Sequence, residues 1–204
     1  MPFMGPRYYD RSGCVTRSIV GTVSTRERVL EAAVGLLGTQ GLRALTHARV
    51  DEAAGVPRGS ASNYFRTRAA LLGGVVEWIV EQEMGGQDAP GALPDTVEGF
   101  AGLLAGIVEQ LTGPFRVRTT ARYVLFLEGA HDDDVQRPLL AGRARFRALA
   151  EAGMAGLGAA DPAVAATAVM AVCEGMIMHR IAVDPEAPVF AAIDGVVRAF
   201  SRAG

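Results

Sequence analysis

From Arg58 to Arg68 the chain reads RGSASNYFRTR, with guanidinium, hydroxyl and amide groups at most positions. Such side chains donate hydrogen bonds to phosphate oxygens and base edges, and small residues among them let a backbone come close. Gly59 costs a short helix roughly 1 kcal/mol, a loss that makes sense if the helix end must approach a nucleic-acid backbone. Other constellations carry less chemistry. Glu128-Gly129-Ala130-His131 has the spacing that holds iron in carboxylate bundles, but those centres need two copies and two further glutamates, and only one copy exists. Asp132 to Asp134 lacks the glycine and closing glutamate of a calcium loop and reads as a solvated turn. Arg143, Arg145 and Arg147 read as a solvated face. The histidines stand apart at 47, 131 and 179. No nucleophile, base and orienting group share a supporting spacing, and no glycine-rich phosphate loop follows a strand. The expectation is a non-enzyme without metal or cofactor.

Helices must position the polar run. Ser24 and Glu27 form a capping box, and Val29, Ala32, Ala33, Leu36 and Leu37 repeat at helical spacing behind it. Gly41 is placed to end this helix in a left-handed cap. Thr46 caps a second helix of about His47 to Ala54, with Val50, Ala53 and Ala54 inward, and Gly55 stops it. Pro57 suits the start of a third helix running to about Tyr64, held inward by Ala61 and Phe65. It leaves Arg58, Ser60, Ser62, Asn63 and Tyr64 pointing elsewhere. Thr67 caps a fourth helix of about Arg68 to Met84, followed by a Gly/Pro-rich loop to Pro94. Further helices are expected over Pro94 to Leu111, about Arg116 to His131, 135–138 to Gly156, Pro162 to near Asp184, and about Pro188 to Arg202. Pro138 belongs in a first turn. No strand alternation or repeat is present.

Composition sets bounds. All 20 basic residues are arginine. Residues 1–72 hold ten arginines against five acids, and residues 73–204 ten against seventeen, so only the N-terminal part suits a polyanion. Cys14 and Cys173 show no metal spacing, which points to a reduced, cytoplasmic protein. The apolar segment Pro162 to Ile177 contains Glu174 and is too short to span a membrane without cost. Residues 1–23 read as a flexible extension or as residues from an early start codon, with a DNA-touching basic arm as the alternative.

From residue 24 to 72 the order of these features resembles the DNA-binding domain of the TetR family of bacterial transcriptional regulators. The matching residues are the apolar first helix ending at Gly41, Thr46, Ala53-Ala54-Gly55-Val56, Arg58-Gly59, Asn63-Tyr64-Phe65, Thr67-Arg68 and Ala70-Leu71-Leu72. Pro57 departs from the serine or threonine that usually caps helix three. Ala61 and Ser62 stand where a bulky apolar residue and a tyrosine are usual, and Tyr64 is placed to take over that tyrosine's phosphate contact. The resemblance implies an all-α fold: a helix-turn-helix three-helix bundle (24–72) linked by a long fourth helix to a ligand-binding and dimerisation bundle (73–204). It implies that Thr46 and His47 meet phosphate. Arg58, Gly59, Ser60, Ser62, Asn63 and Tyr64 would lie in or beside the groove, with Arg68 gripping phosphate. It further implies a homodimer on a pseudo-palindromic operator of double-stranded DNA, acting as a repressor and released by a small-molecule effector.

Helical spacing nominates the remaining sites. Ala165, Ala168, Ala171, Val172, Gly175, Met176, His179 and Val183, with Phe190, Ile193, Val197 and Phe200 of the last helix, form a candidate dimer face. Phe100, Leu104, Tyr123, Phe126, Met170 and Glu174 are candidate lining for a largely apolar ligand. Glu174 would bind a cationic ligand or pair with Arg180 or Arg122, which joins the candidate site.

Overall fold

The computed structural model describes residues 23–85, 92–129 and 133–201. The helices are α1 (Thr25–Gln40), α2 (His47–Ala54), α3 (Ser60–Tyr64), α4 (Arg68–Gly85) and α5 (Val97–Thr112), then α6 (Arg116–Gly129), α7 (Asp133–Gly156), α8 (Pro162–Ala182) and α9 (Phe190–Phe200). A 3-10 turn, Leu42–Ala44, joins α1 to α2, and no strand occurs among the described residues. The extension at residues 1–22, Cys14, most of the loop after α4, His131, Asp132 and Arg202 lie outside them.

Most helix starts follow from their caps. The Ser24 hydroxyl accepts from the Glu27 N–H at 3.2 Å, and the Glu27 carboxylate accepts from the Ser24 N–H at 2.7 Å. These bonds hold the Glu27 carboxyl below its ordinary range. Thr46, Thr67, Thr96 and Asp161 cap α2, α4, α5 and α8 in the same way. Gly41 departs from the expected left-handed cap: at φ 76°, ψ −178° it occupies an extended region open essentially to glycine alone. Helix α7 begins at Asp133, so Pro138 is its sixth residue rather than part of its first turn. The apolar segment Pro162 to Ile177 is part of a longer helix that runs on through His179 and Arg180 to Ala182, and these 21 residues are long and apolar enough, by length and composition, to cross a membrane. That overturns the length argument. The helix packs on α5, α7 and α9, and its Glu174 is ion-paired to Arg143.

Two apolar cores form. The first gathers Leu30, Leu37, Leu45, Val50, Leu71 and Ile79 of the N-terminal elements and continues through Ala121 and Leu125 of α6 to Val135 and Leu139 of α7. Packing therefore runs on past residue 72. The second joins α5, α7, α8 and α9 around Phe100, Met154, Val169 and Ile193. Arg116 fastens the end of α8 by donating to the carbonyls of Arg180 (2.9 Å) and Ile181 (2.6 Å). Arg180 in turn donates to the Thr112 hydroxyl (2.8 Å) and the Ala187 carbonyl (2.6 Å).

Helix α1 rests on α6 through Gly38, where a Cβ would overlap the Val117 carbonyl. Gly38→Ala is expected to destabilise the fold by about 2 kcal/mol, because backbone rather than a pliable side chain must move. Gly35→Ala, in the same helix with nothing within 4 Å of the new methyl, should instead stabilise by roughly 0.5–1 kcal/mol. Urea unfolding of the two variants beside the parent checks the opposite signs.

Candidate nucleic-acid interface and ligand cavity

The start of α3 is built by a residue of α2. Asp51 is 2% exposed, and its two carboxylate oxygens accept from the Gly59 N–H and the Ala61 N–H, each at 2.7 Å. Helix α3 thus begins at Ser60, and Pro57 lies in the preceding turn instead of opening the helix. The expected inner face of α2 is corrected likewise: Asp51 is buried and Ala53 is exposed. The conformation of Gly59 explains the glycine without reference to DNA, since its φ of 91° is one that a side chain disfavours.

Around this turn Thr46, Arg58, Ser62, Asn63, Tyr64 and Arg68 are exposed. Gly59 and Ser60 are half-buried, and the Ser60 hydroxyl already donates to the Pro57 carbonyl at 2.6 Å. The His47 ring is also engaged, donating Nε2–H to the Phe65 carbonyl at 2.6 Å and strapping α2 to the end of α3. Arg68 donates to the Leu42 carbonyl at 3.1 Å. Arg43, Arg49 and Arg66 are exposed as well. Two supports escaped sequence reasoning. Asp51 carried no signal beyond its charge, and Arg28 donates to the carbonyls of Ala54 (2.6 Å) and Gly55 (3.0 Å) at the end of α2.

A cavity of about 250 Å³ opens between α4, α5, α6, α7 and α8. Leu104, Arg122, Tyr123, Phe126, Met170 and Glu174 line it as expected, but Phe100 does not. Phe100 is 0% exposed and fills the space over Gly153, where a Cβ would overlap its ring. Unforeseen lining comes from α4 (Val80, Glu83) and from α7 (Gly142, Arg143, Phe146, Leu149). Glu174 pairs with Arg143 at 2.7 Å, not with Arg180 or Arg122, so Arg143 is no mere solvated residue. Arg122 pairs with Glu83 at 3.6 Å. Burial raises the Glu83 carboxyl above its usual range against the pull of Arg122 and Arg118, and burial also raises the Tyr123 hydroxyl. Burial, helped by Glu174, pushes the Cys173 thiol up to about 11, so it stays protonated at neutral pH.

The candidate dimer face divides. Ile193 and Val197 are buried inside their own subunit's core, against expectation, and Val172 and Met176 are half-buried against the same core. His179, Val183, Phe190 and Phe200 are exposed. So are Ala171 and Gly175 of the stripe read from spacing, whereas its Ala165 is buried in the core, and exposed Met178 and Ala182 extend the outward face of α8.

A helix-turn-helix with an outward polar helix, joined to a helical bundle enclosing an apolar cavity, defines the class of ligand-responsive transcriptional regulators. Residues 29–75 match the family model described as bacterial regulatory proteins of the tetR family. Residues 95–203 match the model described as the tetracyclin repressor-like C-terminal domain. The chain belongs to the TetR family of transcriptional regulators, which are not enzymes. It is 38% identical over 60 residues to the HTH-type transcriptional regulator CymR of Pseudomonas putida, a match spanning 29% of this chain and 30% of that protein. A transcriptional regulator from Rhodococcus sp. Rha1 shares the fold at a TM-score of 0.70 and 17% identity, over 87% of this chain and 96% of that one. A TetR-family member from Streptomyces coelicolor A3 does so at 0.67 and 23% identity, over 88% and 99%. The multidrug binding protein EbrR, complexed with ethidium, gives 0.65 and 21% identity, over 88% and 100%.

Asp51→Ala removes the acceptor from one buried and one half-buried N–H group and is expected to cost on the order of 3 kcal/mol. Asp51→Asn should cost about half as much, since its amide offers one accepting oxygen. Denaturant unfolding reads the loss, and amide exchange at Gly59 and Ala61 should accelerate before exchange elsewhere.

Proposed function

We propose that this chain is a cytoplasmic repressor that binds a pseudo-palindromic operator as a homodimer and is released by a small, largely apolar ligand. Residues 24–72 are the DNA-binding domain, and residues 73–204 bind the ligand and the second subunit. The observation that carries this is the two-sidedness of α3: Ala61 is buried while Arg58 before it and Ser62, Asn63 and Tyr64 within it are exposed. In the major groove Ser62 and Asn63 read base edges, Arg58 and Tyr64 lie beside them, and Thr46 and Arg68 meet the phosphates. His47 acts on phosphate only by giving up its bond to Phe65.

A second copy of the chain is the natural cover for the exposed face of α8 and α9, where Ala171, Gly175 and Ala182 let helices approach closely and Met178, Val183 and Phe200 supply apolar area. Pairing two weak modules also supplies the affinity and spacing that an operator demands. The cavity supports the ligand's part. Its wall includes Val80 and Glu83 of α4, the helix that starts at Arg68 beside α3. A ligand that fits only one placement of α4 lowers DNA affinity by its difference in affinity for the two states. EbrR, solved with the aromatic ligand ethidium, shares this architecture.

Selection from random duplexes with the full chain should enrich one pseudo-palindrome; no enriched motif would sink the proposal. Binding to it should fall about 10³–10⁵-fold between 50 and 200 mM salt if six to ten phosphates are neutralised. Arg68→Ala should weaken all duplexes alike, whereas Asn63→Ala should cost about 1–3 kcal/mol at the preferred site and relax base preference there. A monomeric mass at micromolar concentration would exclude the homodimer.

A further inference from the structure

The ligand cavity has a neighbour. A second cavity of about 430 Å³ lies between α4, α5, α6 and α7, and Glu83, Ile107, Leu111 and Phe146 line both. The charges on these walls do not balance. Glu83 is held by Arg122 at 3.6 Å and Glu174 by Arg143 at 2.7 Å. Arg118, which lines the second cavity, has no carboxylate within ion-pair distance among the described residues. Its guanidinium lies 4.4 Å from the centre of the Phe115 ring, and its Nε–H is buried without a hydrogen-bond partner. Among the described residues the two cavities therefore present three guanidiniums against two carboxylates.

We propose that the effector is an amphiphilic monoanion, with an apolar body in the first cavity and a carboxylate in the second, on Arg118. This rests on the reading that the cavity binds a small molecule. To span the two cavities the body must part Ile107, Leu111 and Phe146, the apolar residues that line both. The anion supplies the ion-pair partner that the Arg118 guanidinium lacks, through a charge-assisted bond about twice as strong as a neutral one. A cationic head fits less well. Glu83 does have an oxygen, Oε1, without a partner, but it lies in the field of both Arg122 and Arg118. An ammonium group there would meet two guanidiniums at close range in a partly desolvated wall, where like charges repel strongly.

Three probes that differ only in the head separate these cases: 4-phenylbutanoate, 4-phenylbutan-1-ol and 4-phenylbutan-1-amine, titrated calorimetrically into the full chain. The carboxylate should bind about tenfold more tightly than the alcohol, and the amine most weakly. Arg118→Gln should abolish the carboxylate's advantage while leaving the alcohol within about twofold. An amine or alcohol binding as tightly as the acid overturns the assignment of an anion but leaves the cavity a small-molecule site. An advantage that survives in Arg118→Gln overturns the role of Arg118. If none of the three binds at millimolar concentration, the cavity reading itself fails, and the inference with it.

Discussion

The carboxylate of Asp51 is the constraint on which the candidate nucleic-acid interface depends. A five-residue helix cannot sustain itself, because nucleation fixes several residues for one backbone bond. Its first N–H groups also need acceptors, and Gly59 has no side chain to offer one. Asp51 supplies them from the neighbouring helix at 2.7 Å, inside the protein. That choice fixes the angle between α2 and α3, since both oxygens of one planar group are committed to α3 while their stem belongs to α2. His47 closes the other end on the Phe65 carbonyl, and Arg28 neutralises the carbonyls where α2 stops. The polar side chains of α3 are free to face outward because other residues hold the helix in place.

The same division of labour holds in the C-terminal helices. Phe100, Met154 and Ile193 are spent on packing, while Leu104, Tyr123, Phe126 and Met170 border empty space. Charged side chains within such walls are tolerable only in company. Glu83 and Arg122 have 10% and 12% of their side chains exposed and sit 3.6 Å apart. Removing either would strand the other, at a cost that exceeds what the pair contributes. Cys173 lies in the same wall but remains a thiol, and behaves there as a small apolar residue.

Local features were legible from the chain alone. Caps at Ser24, Thr46 and Thr67 marked helix starts because a cap acts within three residues of itself. The outward residues of α3 followed from their polarity. Effects that act across the fold were not legible. Pro57 looked like a helix opener because nothing in sequence links position 51 to positions 59 and 61, although that link decides where α3 begins. Arg143 looked solvated for a similar reason: its partner, Glu174, lies on another helix. Phe100 and Ile193 could not be told from cavity or interface residues, since a helical stripe shows that one face is covered but not by what. Which face of α7 meets the cavity was hidden by its alternating arginines and alanines.

Helix α8 shows why that last ambiguity matters. Met170, Cys173, Glu174 and Ile177 recur at three- and four-residue steps and face the cavity. Ala171, Gly175, Met178 and Ala182 recur at the same steps, one position on, and face outward. Successive positions on a helix lie about 100° apart, so the two stripes occupy different sides of one rod. Asp161 caps the start of this rod and Arg116 grips its last carbonyls. A molecule that moves the backbone of this helix at the cavity would therefore move the outward stripe with it. One helix thus turns one side to the cavity and another outward.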